Sequence, residues 1–195
     1  VIVIELGLKC KQYNENIAEV FFCFMKQMEQ LTIVCPKCLS KLFRNDEYQR
    51  GVIDEDGVHE QTVIMQTMCT KCGTTHALLP DFIRPYKHYG AAVIELALTT
   101  IEETGGFSIS SCPADDSTIR RWAVEFRERA RIAEAQLLAI LYELYQRHLS
   151  ILAMQERSQL KRLVRLLREL NIEPKENGVI SCVNTLITRN GKGYV

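Results

Sequence analysis

Two Cys-x-x-Cys pairs, Cys35–Cys38 and Cys69–Cys72, stand thirty residues apart in this chain, and no other feature restricts its fold as much. Two thiolates two residues apart grip one metal from a single backbone turn. Two such turns, brought together by a hairpin, give tetrahedral coordination by sulfur alone, the arrangement Zn²⁺ prefers, with no position left open for substrate. Cys35-Pro36-Lys37-Cys38 and Cys69-Thr70-Lys71-Cys72-Gly73 both have the form of zinc-ribbon knuckles, and Lys37 and Lys71 offset the charge of four thiolates. The predicted cofactor is Zn²⁺, held by Cys35, Cys38, Cys69 and Cys72. Three alternatives use some of the same residues: a thioredoxin-like pair, which needs only one Cys-x-x-Cys, an iron–sulfur cluster, whose spacings differ, and a mixed site taking His59 or His76. A closed sulfur site stabilises a fold and does not catalyse.

The four remaining cysteines, Cys10, Cys23, Cys112 and Cys182, are scattered singly. With the two pairs, they read as one metal site plus buried thiols in a reducing compartment, not as a disulfide framework. No apolar run approaches the roughly 18 residues needed to span a bilayer. No basic start precedes the short apolar opening Val1 to Leu8, so the sequence predicts a soluble, cytoplasmic protein without membrane partners. A chain opening on Val1 suits a fragment. Formal net charge is zero, so any nucleic-acid binding must come from a local patch.

The pattern predicts an α+β protein: a small β zinc ribbon, a helix-turn-helix-like region, and long C-terminal helices. Residues 1–31 read as a leader, with a short strand in Val1–Leu6 and a packing helix capped by Asn14 or Asn16. Residues 32–86 are the ribbon. Strand-like runs at 48–53 and 58–68 flank the turn signal Asp56-Gly57, and 78–86 form a proline-punctuated connector. Residues 87–131 hold a helix from about His88 that stops at Gly105-Gly106. A second helix from Thr118 is capped by Asp115, Asp116 or Ser117 and anchored by Ile119, Trp122, Ala123 and Phe126. Residues 132–173 carry two amphipathic stretches suited to a helical hairpin or to self-association. Residues 174–195 read as a short strand or loose tail.

Ser117-Thr118-Ile119-Arg120-Arg121-Trp122 has the form of a recognition helix. Ser117 and Thr118 are placed to meet phosphates or base edges, and Arg120, Arg121 and Arg127 to reach bases or backbone. Arg120, Val124, Arg127 and Arg131 share a face. Glu125 stands one turn from Arg121 and can pair with it.

From Cys35 to about Phe126 the chain resembles an uncharacterised bacterial family found with mobile elements, and is similar to the DNA-binding front ends of insertion-sequence transposases. The matching residues are the two knuckles, Thr75-His76-Ala77-Leu78-Leu79-Pro80-Asp81-Phe82, Pro85-Tyr86 and the Arg120-Arg121-Trp122 helix. The resemblance implies a zinc ribbon followed by a helix-turn-helix that binds double-stranded DNA. Residues 105–116 are short and glycine-rich for a middle helix. No alternating strand pattern after Trp122 is long enough for a sheet carrying a metal-binding carboxylate triad. The sequence therefore predicts a DNA-binding protein without transposase or other enzyme activity. A protein-interaction module is the second reading. An enzyme using Cys112 as nucleophile is a weaker third, since no base partner is visible and Cys112-Pro113 suits a buried or turn cysteine.

Overall fold

The computed structural model describes residues 1–109, 111–149, 154–174 and 177–189. The two knuckles are joined by a long antiparallel hairpin, β2 (Leu42–Ile53) and β3 (His59–Cys69). The expected turn closes it. Gly57 takes φ +77°, and the Asp54 carboxylate accepts from the amides of Asp56 (3.0 Å) and Val58 (2.8 Å), an Asx turn. Strand β2 begins six residues before the predicted run. Arg44 to Glu47 are exposed, and the register slips between Arg44 and Asp46, so no apolar alternation marks this stretch.

β3 continues through Gly73 (φ +67°) into β4 (Thr75–Pro80), which the sequence reading placed partly in a connector. That expectation is corrected. β4 is an interior strand, lying between β3 and β1 (Ile2–Ile4) in the order β1-β4-β3-β2. Leu78 and Leu79 are both buried. A strand covered on both faces shows a continuous apolar run instead of alternation, and this one resembles a stiff linker. β1 runs parallel to β4, with Ile2 opposite Leu78 and Ile4 opposite Pro80. Helices α1 (Cys10–Glu15) and α2 (Ile17–Glu29) complete this half. The Tyr13 hydroxyl donates to the Val63 carbonyl (2.9 Å), and Phe24 and Met28 are buried in the core that holds Ile64, Met65 and Cys35. Residues 1–31 thus share one core with the ribbon. Asn16 stands at the α2 N-cap, but its side-chain amide donates back to the Gln12 carbonyl (2.8 Å).

The second core is helical: α3 (Ala91–Thr104), α4 (Asp116–Tyr145), α5 (Gln159–Glu169) and α6 (Gly178–Arg189). Gly105, at φ +73°, ends α3 as expected, its amide donating to the Ile101 carbonyl. Asp115 caps α4 by accepting from the Thr118 amide (2.9 Å). From there α4 runs unbroken for 30 residues, about 45 Å. Ile119, Trp122, Ala123, Phe126, Ala130, Ala133 and Leu137 form its buried stripe. The predicted boundary between 131 and 132 therefore falls inside one helix.

α5 packs on α4, but not as a hairpin. The Gln159 side chain donates to the Arg127 carbonyl, Arg162 pairs with Glu134, and Arg147 pairs with Glu169. Partner numbers rise together, so the two helices run the same way, and the start of α5 lies beside the middle of α4. The expected antiparallel hairpin presumes a short link, and the link from Tyr145 to Gln159 is not short. The tail reading is also corrected. Residues 178–189 are a helix, with Ile180, Val183 and Ile187 buried. The Asn190-Gly191 signal lies outside the described residues.

α3 organises this half through two glutamates seven residues apart. Glu95 accepts from the first amides of α6, Val179 (2.9 Å) and Ile180 (2.8 Å). Glu102 accepts from the Gln159 amide (3.0 Å) and the Ser158 hydroxyl at the start of α5. Each carboxylate sits where unpaired amides and the helix dipole favour negative charge. The two halves meet along α6. The Val3 amide donates to Thr188 Oγ1 (3.0 Å). Buried Asp81 accepts from the Leu6 amide (3.0 Å) and the Asn177 side chain (2.9 Å). Among the described residues no helix is long and apolar enough to cross a membrane.

Candidate metal centre

The hairpin returns the chain to its starting point, so both knuckles stand at one end of the sheet: Leu42 pairs with Cys69, and Val34 bridges Lys41. Within each knuckle the chain turns tightly. The Leu39 amide donates to the Cys35 carbonyl (2.8 Å), and the Gly73 amide to the Cys69 carbonyl (3.1 Å). The residue after the second cysteine takes positive φ in both, +58° at Leu39 and +67° at Gly73. Glycine adopts that conformation freely, and leucine does not.

The four Sγ atoms lie within 4.8 Å of one another. Cys35 to Cys72 is 3.7 Å, and Cys38 to Cys69 is 3.4 Å. Four sulfurs about 2.3 Å from a tetrahedral ion stand about 3.8 Å apart, so the donor set fits one metal ion. The amides of Lys71 (3.4 Å) and Cys72 (3.5 Å) donate to Cys69 Sγ. The Thr74 hydroxyl, 3.2 Å from Cys72 Sγ, together with the Thr74 amide, draws the Cys72 thiol down to about 6. Burial pushes the Cys35 thiol up to about 11. These four residues can hold a metal ion.

The two histidines part company. His76, on β4, is buried, with Nε2 3.4 Å from Cys35 Sγ. Of the two histidines weighed for a mixed site, it is the one that stands at the knuckles, in hydrogen-bonding reach of Cys35. His59 begins β3, ten residues from Cys69 along an extended strand, or about 33 Å. Cys112 is buried, and that burial raises its thiol above the ordinary range.

The predicted DNA-contacting residues all lie on the first turns of α4, but their side chains differ in freedom. Ser117 and Thr118 both donate their hydroxyls to Asp115, which holds the Asp115 carboxyl well below the usual range. Those hydroxyls are committed to the cap. Arg120, Arg121 and Arg127 are exposed, opposite buried Ile119, Trp122 and Phe126. The Arg120 guanidinium lies over the Phe107 ring (4.7 Å). Trp122 packs edge-on against Tyr89 (5.0 Å between centroids). Glu125 does not pair with Arg121. It pairs with Arg129 (2.9 Å) and with Lys87, which reaches it from the segment before α3. The link from α3 to α4 runs from Gly105 to Asp115, well beyond the three- or four-residue turn of a helix-turn-helix.

Residues 35–122 are similar to a domain of unknown function, DUF6431. The match opens on the first metal-site cysteine and closes on Trp122. It thus takes in the knuckles, β4, α3 and the start of α4 together. No curated protein and no solved structure matches the chain, so the resemblance to transposase front ends rests on the motifs alone.

Proposed function

We propose that this is a zinc-stabilised protein that binds double-stranded DNA through the outward face of α4. In this reading it is cytoplasmic, of mobile-element origin (transposon or phage), and acts as an accessory or regulator without catalytic activity. The carrying observation is the division of α4 into a buried apolar stripe and an outward face bearing Arg120, Arg121 and Arg127. With the Ser117 and Thr118 hydroxyls held by Asp115, contact with bases or phosphates falls to the arginines. Zinc is the metal the all-sulfur donor set favours.

Metal analysis of the purified protein should give about one zinc per chain. Arg120→Ala and Arg121→Ala should weaken binding to a duplex without changing the circular dichroism spectrum. Each lost phosphate contact should flatten the slope of log affinity against log salt by about 0.9. Wild-type protein that shows no salt-sensitive duplex binding would refute the DNA reading. A protein-interaction module would then take its place. That second reading draws on Phe22, Leu31 and Leu39, large apolar side chains that stand exposed on the metal-bearing half.

A further inference from the structure

Between α4 and the start of α5 lies an open groove of about 740 Å³. Its lining is strongly cationic: Arg127 and Arg131 from α4, Arg157 from the segment just before α5, and Lys161 and Arg162 from the first turn of α5. Two carboxylates also line it, Glu102 and Glu156, and both are already engaged. Glu102 is seated on the α5 N-terminus. Glu156 accepts from Arg165 through both oxygens, each at 3.2 Å. Arg162 is likewise occupied, paired at 2.8 Å with Glu134, which is only 3% exposed. Arg127, Arg131, Arg157 and Lys161 make no ion pair among the described residues. The partners of Glu102 are uncharged, so four unpaired cations face one open channel against a single unpaired carboxylate, and the lining stays strongly positive.

We propose that this groove binds the phosphodiester backbone of nucleic acid, and that it supplies the sequence-independent part of the affinity. The proposal rests on the DNA reading above and deepens it by moving the main phosphate contacts from the tip of α4 to its middle. Continuity favours a polymer over a small phosphate. Arg120, Arg127 and Arg131 lie along one face of α4, so the cationic row spans about 16 Å before it enters the groove. A duplex strand presents one charge per about 3.4 Å of its axis, so several phosphates fall within that length. The parallel seating of α5 brings Arg157 and Lys161 to the opposite wall, where an antiparallel hairpin would have placed the end of α5.

The test uses the full chain carrying Arg131→Ala, Arg157→Ala and Lys161→Ala together, with short fluorescent DNA duplexes of two unrelated sequences titrated at several salt concentrations. The triple variant should retain its circular dichroism spectrum and metal content. Its salt slope should fall by about 2.7, or about 0.9 for each phosphate contact, and equally for both duplexes. Lys161→Arg alone, which keeps the charge, should leave the slope unchanged. A triple variant with the wild-type slope, while Arg120→Ala and Arg121→Ala lose binding, overturns the groove and leaves the α4 reading standing. A loss of discrimination between the two sequences in place of a uniform loss also overturns it as a backbone site. Wild-type protein with no salt-sensitive duplex binding overturns both.

Discussion

Gly178 and Glu95 form the sharpest energetic test of how the helical half is held together. Gly178 opens α6 at φ +88°, and a Cβ added there would stand 2.5 Å from Glu95 Oε2 and 2.6 Å from its Cδ. Gly178→Ala therefore carries two penalties. The left-handed backbone costs an L residue about 1–2 kcal/mol, eased by up to about 1 kcal/mol because alanine restricts the unfolded chain. The methyl group also displaces the carboxylate that accepts from Val179 and Ile180. Losing hydrogen bonds to a charged group costs about 1.5–3 kcal/mol. The sum is about 2–4 kcal/mol. Glu95→Ala should cost about 2 kcal/mol by the same loss of capping. In the double variant the methyl group has nothing left to displace, so only the backbone penalty is added. Urea unfolding of the four proteins, followed by circular dichroism, should show the double variant about 2 kcal/mol more stable than the sum of the single losses predicts. Losses that add to within about 0.5 kcal/mol, as for independent sites, would refute the proposed contact between the two residues.

Leu39, 72% exposed at φ +58°, occupies the place that Gly73 takes in the second knuckle. Leu39→Gly should therefore stabilise the metal-loaded protein by up to about 1 kcal/mol, read from its denaturant midpoint, and a destabilised variant would show that Leu39 makes a contact worth more than its strain. Glu125 loses solvent around its carboxyl, which opposes ionisation, but the Lys87 hydrogen bond and the charges of Lys87, Arg84 and Arg129 outweigh that and lower its pKa below 4.5. The folded state then holds the proton less tightly than the unfolded chain, so the stabilisation is present above about pH 4.5 and is lost as pH falls through the depressed value. Glu125→Gln should cost about 1 kcal/mol at neutral pH and make stability fall less steeply in acid. Parallel pH profiles of variant and wild type would contradict this.

The metal site was legible because its chemistry fixes residue type and spacing together, and nothing outside the two knuckles was needed to find it. The hairpin turn and the α4 cap were legible for a similar reason. Asp56-Gly57 and Asp115 act on their own neighbours. What escaped the sequence depends on distant partners. Leu78 and Leu79 belong to a strand only because β1 and β3 flank it, and Thr75–Pro80 alone is indistinguishable from a linker. α6 was hidden because its polar residues are buried: Ser181, Asn184, Thr185 and Thr188 break the apolar stripe that marks a helix packed on one side. Helical spacing offers Arg121 as a partner for Glu125, but Lys87 and Arg129 hold it. Amphipathic pattern fixes which face of α5 is buried and says nothing of which way the helix points.

The Val3–Thr188 bond spans 185 residues of sequence, and β1 finds its strand partner at long range too, Ile2 standing opposite Leu78. Contacts of such range cost loop-closure entropy before they contribute stability. Docking of β1 between β4 and α6 therefore belongs to the late steps of folding. Until α6 seats, a strand made only of Ile2, Val3 and Ile4 presents an apolar edge open to pairing with a second copy, and changes that loosen α6 favour aggregation over folding.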